Sequence, residues 1–138
     1  MPFPFIILDT CALRDRKFIG WLKEYRGGIS IPPVVYMEIC RQYLERDQPA
    51  EELDEWLNDL RIKVLRFDRN NARTAAELMA GRKNMLCGEC GKIDWVDTIV
   101  ASYCSVGDYV ITNNKSDFPT SGGFDRKIMT TDELMNRS

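Results

Sequence analysis

The sequence predicts an α/β protein: a three-layer α/β/α sandwich around a central, mostly parallel sheet of five strands. Three observations predict it. Short apolar runs, too short for helices, recur along the 138 residues. Segments with apolar residues at helical spacing separate them, the pattern of βαβ units. The first run, Phe3-Pro4-Phe5-Ile6-Ile7-Leu8, has β-branched and aromatic residues on both faces, as a strand in the middle of a parallel sheet requires.

After that strand, residues 14–26 place Phe18, Ile19, Trp21, Leu22 and Tyr25 on one helical face, and Gly27-Gly28, able to take positive φ, end the helix. Ile29-Ser30-Ile31 is a short strand. Pro32-Pro33 opens a second helix, where a proline in the first turn is tolerated; Val34, Val35, Met37, Ile39 and Tyr43 carry it to about Asp47. Gln48-Pro49 breaks it, and a third helix over 50–60 turns Leu53, Trp56, Leu57 and Leu60 inward. A strand over 62–67, a helix over 70–81, a loop over 82–92 and a helix over 95–104 follow. Tyr109-Val110-Ile111-Thr112 and Lys127-Ile128-Met129-Thr130 are the last two strands, separated by a polar loop and followed by a short terminal helix. There are no repeats, low-complexity segments or interdomain linker, so residues 1–138 read as one domain.

Composition narrows the chemistry. With 44% hydrophobic and 29% charged residues, the chain is an ordinary globular protein. It has no apolar run of the roughly 20 residues that a membrane span needs. Met-Pro-Phe-Pro lacks the basic start of a signal peptide, so a cytoplasmic location is expected. There is no histidine, which excludes histidine general bases and histidine-ligated zinc. The net charge of −2 makes non-specific polyanion binding poor, so any nucleic-acid contact must use local basic clusters and a bound cation. Of the five cysteines, Cys11, Cys40 and Cys104 lie in apolar segments and read as buried thiols. Cys87 and Cys90 have the spacing of a metal or redox pair, but no second pair completes a zinc site; a structural or incidental role is the alternative.

Asp9 ends the first strand, and in open α/β sheets ligands bind beyond the carboxyl ends of the strands. Each helix runs back antiparallel to the strand before it, so acids in the first turns of helices gather at the same edge. Glu38 lies near the start of its helix among Val34, Val35, Met37 and Ile39. It is either an acid that needs a partner against desolvation or one that the helix dipole favours. Asp97 occupies the first turn of another helix, with Asp94 placed as its N-cap and a further candidate for the same pocket. The segment 112–118 leaves a strand end and brings Thr112, Asn114 and Asp117 to the edge; a polar surface loop is the alternative. Carboxylates and carboxamides without histidine or thiolate select Mg²⁺ or Mn²⁺, and such a site suits phosphoryl chemistry.

These motifs together resemble the PIN-domain ribonucleases, and among them the VapC-like toxins of type II toxin–antitoxin systems. The carriers are Ile7-Leu8-Asp9-Thr10, Glu38 in the run from Pro33, Asp97-Thr98-Ile99-Val100-Ala101, and Thr112-Asn113-Asn114-Lys115-Ser116-Asp117-Phe118. The resemblance covers nearly the whole chain. It implies that Asp9, Glu38 and Asp97 hold the metal, with Asn114 or Asp117 as the fourth ligand, and that these acids with Asp117 are catalytic. Thr10, Asp94 and Thr112 would support them. Cys11 stands where the family often has Asn or Ser, and the residue two beyond the threonine, often Asp, is here Asn114. The implied activity is metal-dependent endonucleolytic cleavage of RNA by activated water. The implied partners are RNA, a second copy in a homodimer and a cognate antitoxin that inserts a basic side chain among the acids. Arg14, Arg16, Lys17 and Lys115 are candidates to hold phosphates; the alternative is solvated surface charge.

Other readings remain at this point. A dehalogenase-like phosphatase also places an Asp after its first strand, but needs a second two residues later, where Cys11 stands. A signalling receiver uses an acid after its third strand, and Asp68 qualifies, but the paired acids after the first strand are missing. A PIN-like scaffold with a decayed site is the non-enzymatic alternative, kept open by Asn114.

Overall fold

Ile6, Ile7 and Leu8 form the first strand and are fully buried, so the run read as a central strand is one. The structure, a computed structural model, describes residues 3–81, 95–114 and 127–137. Its elements are β1 (Ile6–Leu8), α1 (Thr10–Leu13), α2 (Arg16–Leu22), β2 (Ile29–Ile31), α3 (Pro33–Glu45), α4 (Ala50–Asp59), β3 (Ile62–Val64), α5 (Arg69–Gly81), α6 (Trp95–Ala101), a 3₁₀ turn (Ser102–Ser105), β4 (Tyr109–Ile111), β5 (Ile128–Met129) and α7 (Thr131–Arg137).

The five strands lie in the order β3-β2-β1-β4-β5, and every pairing is parallel. Ile6 stands opposite Ile29 on one side and Tyr109 on the other; Leu8 stands opposite Ile111. The chain therefore builds outward from β1 to β3, then returns to the other side of β1 for β4 and β5. This reversal opens a crevice at the carboxyl ends of β1 and β4, the usual ligand position in such sheets. Helices cover the sheet in two groups, α1, α2 and α7 packing together and α3 through α6 forming the other. The fold is the expected α/β/α sandwich, its core centred on β1 with Phe18, Leu22, Ile31, Leu53 and Ile111 fully buried around it.

The expected helix over 14–26 is α2, which starts at Arg16, and a one-turn helix, α1, precedes it. Asp9 caps α1 by accepting the Thr10 N–H, and Asp15 starts α2 by accepting the Phe18 N–H at 3.1 Å. An aspartate at each start satisfies amides that would otherwise lack partners. The helix also ends early, at Leu22, so Gly27 does not terminate it. A Cβ on Gly27 would lie 2.5 Å from the Pro4 carbonyl oxygen, so glycine is required there by close backbone approach. The ends of α3 and α4 carry non-glycine residues at positive φ, Asp47 at 57° and Arg61 at 60°. At the first of these, the Gln48 N–H reaches Tyr43 O at 2.9 Å and the Asp47 N–H reaches Leu44 O at 3.1 Å, closing a Schellman motif.

The strands are shorter than expected, and the helix over 95–104 tightens into the 3₁₀ turn after Ala101. The predicted loop over 82–92 and most of that over 113–125 lie outside the described residues. Among the described residues no helix is long and apolar enough to cross a membrane.

Candidate active site

Asp9 follows β1 with extended backbone (φ −83°, ψ 166°), and its N–H continues the ladder onto Ile111 O at 2.9 Å. Its Oδ1 accepts the Thr10 N–H at 2.7 Å, and its Oδ2 accepts the Thr112 hydroxyl at 2.9 Å. At 5% exposure the carboxylate is thus hydrogen-bonded at both oxygens, which offsets the desolvation of its charge. Oδ1 keeps a further lone pair.

Thr112, fully buried at the end of β4, also accepts the Asn114 N–H at 3.1 Å, which directs its own proton to Asp9. Cys11 Sγ stands 3.6 Å from Asp9 Oδ2 and 3.3 Å from Thr112 Oγ1, and accepts the Asn113 N–H at 3.1 Å. Burial pushes the Cys11 thiol up from its ordinary value; its contact with Thr112 opposes this, the Asp9 charge adds to it, and the backbone N–H groups of Asn113 and Asn114 oppose it. With the Thr112 proton directed to Asp9, Cys11 is the donor in its contact with Asp9 Oδ2. Its half-buried place on the cleft wall corrects the expectation of a buried apolar cysteine. Cys40 is also half-buried, whereas Cys104 is buried as expected, its thiol pushed up to about 12 by that burial.

Glu38 accepts the Thr10 hydroxyl at 3.2 Å, which ties α3 to α1. It does not lie in the first turn of α3, which holds no acid, but one turn further in. The helix dipole is thus not what places it; the crossing of α1 over α3 is. Asp97 does stand in the first turn of α6, as expected.

Asp9, Thr10, Cys11, Arg14, Glu38, Val96, Asp97 and Asn114 line one cleft of about 370 Å³. Four separate segments of the chain meet there. Arg14, one of the candidate phosphate holders, and Cys11, expected as a buried thiol, join the predicted acids on its wall. The signal for Cys11 is position alone: α1 is a single turn, so residues two and five beyond Asp9 face the same opening. Arg14 is exposed and enters no ion pair among the described residues. Arg16 and Lys17 are exposed on α2. Asp94, Asp117, Lys115, Cys87 and Cys90 lie outside the described residues.

The cleft's ligand groups are mainly carboxylate, amide and hydroxyl oxygens, the donor set of a hard divalent cation. Among the described residues, no three Asp, Glu or Cys side chains stand close enough together to hold a metal ion.

The family model described as PIN domain matches residues 6–119, a span that runs from β1 past the cleft-lining Asn114. The chain belongs to the PIN-domain family. PIN domains are generally nucleases and typically use divalent metals. No curated protein matches the sequence. Membership sets the phosphatase and receiver readings aside, and the geometry agrees. Asp68 follows the edge strand β3 and serves as a cap, accepting the Asn71 N–H at 3.0 Å. In this PIN domain the strand-end aspartate that meets other acids is Asp9.

Proposed function

We propose that the protein is a Mg²⁺- or Mn²⁺-dependent endoribonuclease, and specifically a VapC-like toxin acting in the cytoplasm. The observation that carries this reading is the meeting of Asp9, Glu38, Asp97 and Asn114 in one cleft at the reversal of strand order. Asp9, Glu38 and Asp97 would hold the cation, with Asn114 or Asp117 completing the set. A cation bound there supplies a Lewis acid for phosphate oxygens and lowers the pKa of attacking water.

The chain's own residues do the rest. The Thr10 N–H and the Thr112 hydroxyl hold Asp9 in one orientation, and the Thr10 hydroxyl holds Glu38. Thr10 thus orients two carboxylates, through its backbone and its side chain. Arg14, a cation on the cleft wall, is placed to grip a phosphate of the RNA. An antitoxin that offers a basic side chain would compete for the same acids, and a homodimer would set two such clefts in one particle.

The second reading, a PIN scaffold without catalysis, rests on Asn114, an uncharged residue at the cleft where relatives often carry an acid. Cleavage of structured RNA by purified protein with Mn²⁺ separates the two. The nuclease reading expects cleavage by wild type and a loss beyond about 100-fold in Asp9→Asn and Asp97→Asn. Equal cleavage by wild type and both variants would sink it, and no cleavage by any would favour the scaffold.

A further inference from the structure

The hydrogen bonds around Thr112 continue past the cleft into a polar cluster that the cation chemistry does not use. Asn113 sits between Thr112, which holds Asp9, and Asn114, which lines the cleft. Its backbone N–H donates to Cys11 Sγ, and its side chain is held at both ends. Oδ1 accepts the Thr131 N–H at 3.1 Å, and Nδ2 faces Asp15 Oδ2 at 3.5 Å. The Thr131 hydroxyl lies 2.7 Å from the same Asp15 oxygen and 3.1 Å from Asn113 Oδ1. It has one proton, and the ionised acceptor takes it at the shorter distance. Oδ1 is left to the Thr131 N–H, which fixes the direction of the amide.

Two features set this cluster apart from an ordinary surface contact. Thr131 is 2% exposed and begins α7, so its N–H has no partner inside its own helix. The ladder between β4 and β5 also changes character here. The Thr112 N–H donates to the Met129 backbone carbonyl at 2.8 Å, but two residues on, the Thr131 N–H goes to a side chain. A backbone acceptor would make this tie for any sequence. With Asn113 as acceptor, the position of the segment depends on one amide.

We infer that Asp15, Asn113 and Thr131 form a clasp that sets where the Thr112 hydroxyl stands behind Asp9 and where Asn114 stands in the cleft, making Thr131 a positioning residue for the cation. This rests on the cation-dependent reading above. Asp15 contributes by dividing its oxygens between two helices: Oδ1 caps α2, and Oδ2 receives Thr131 from α7. The clasp thus ties both helices to the loop that leaves β4.

Asn113→Ala, Thr131→Val and Thr131→Ser test it against wild type, with thermal melting to check each fold. One measurement is Mn²⁺ affinity, from the paramagnetic resonance signal of the free ion. The other is the rate of iodoacetamide labelling at Cys11, read by peptide mass spectrometry. Asn113→Ala and Thr131→Val are expected to weaken Mn²⁺ binding by about tenfold and to change the labelling rate, because the segment shifts and the backbone N–H at 113 leaves the sulfur. Thr131→Ser keeps the hydroxyl and restores both values. A folded Asn113→Ala with wild-type affinity and wild-type labelling overturns the clasp. Should Thr131→Val fail to fold, Asn113→Ala, at an exposed position, carries the test alone. A wild type that binds no Mn²⁺ removes the functional reading instead. The clasp is then judged by labelling: a changed rate in Asn113→Ala supports it, and an unchanged one overturns it.

Discussion

β1 has two neighbours in the sheet, and their carboxyl ends differ in kind. On the β4 side the strands run into Asp9-Thr10 and Thr112-Asn113-Asn114, joined by side-chain hydrogen bonds to a carboxylate, a thiol and hydroxyls. On the β2 side, Ile31 runs into Pro32-Pro33 and Val64 into Leu65. There the closing bond is made by backbone, the Leu65 N–H to Ile31 O at 2.8 Å, and the Tyr103 hydroxyl caps Arg66 O at 2.7 Å. All of these strands share one parallel ladder, so the ladder is not the cause of the difference. The cause is strand order. From β1 the chain steps to β2 and onward, so that edge is covered by consecutive connections, while β4 arrives from the far end of the sheet and leaves a crevice beside β1.

The largest effect expected from this contrast is at Thr112. Thr112→Val keeps the shape but removes the donor to Asp9 and the acceptor of the Asn114 N–H. RNA cleavage and Mn²⁺ affinity should fall together by about 10–100-fold, and urea unfolding should show a loss of about 1–3 kcal/mol. Unchanged cleavage would remove Thr112 from the site. Tyr103→Phe is the matching change on the closed side. It should lower stability by about 1 kcal/mol and leave cleavage at the wild-type rate. A loss of cleavage comparable to that of Thr112→Val would break the comparison.

The smallest effect is in acid. The Thr131 hydroxyl, and after it the Phe18 N–H, hold the Asp15 carboxyl below its ordinary value of 3.8. A depressed folded-state pKa contributes stability above the unfolded value and loses it as pH falls through the folded value. Wild type should therefore lose, below pH 3.8, a small stabilisation that Asp15→Asn lacks. Urea unfolding of both proteins above and below that pH measures it, and parallel losses would show that Asp15 contributes nothing.

Much of this was legible locally. Asp9 stood at the end of an apolar run, and Asp97 in the first turn of a helix pattern, and both line the cleft. Glu38 lies a turn deeper than a helix start, and of its two readings the acid with a partner is the one present, the partner being Thr10. The helix expected over 14–26 is present as the shorter α2, and what the apolar spacing does not reveal is the single turn before it: Asp9 caps α1 and Asp15 caps α2. Cys11 looked like core because its sequence neighbours are apolar. A one-turn helix nevertheless carries it round to the opening.

The amino-acid sequence by itself determined which segments are strands and helices, and that an acid ends the first strand. Periodicity and caps are properties of neighbouring residues, and they need no knowledge of the rest of the chain. The tertiary structure decided that Thr112 stands beside Asp9, although 103 residues separate them, and that Thr131 reaches Asn113. Those contacts follow from the strand order, which sets β4 beside β1 although the chain between them passes through β2 and β3. A carboxylate at a strand end becomes a site only when that order brings it the right neighbour.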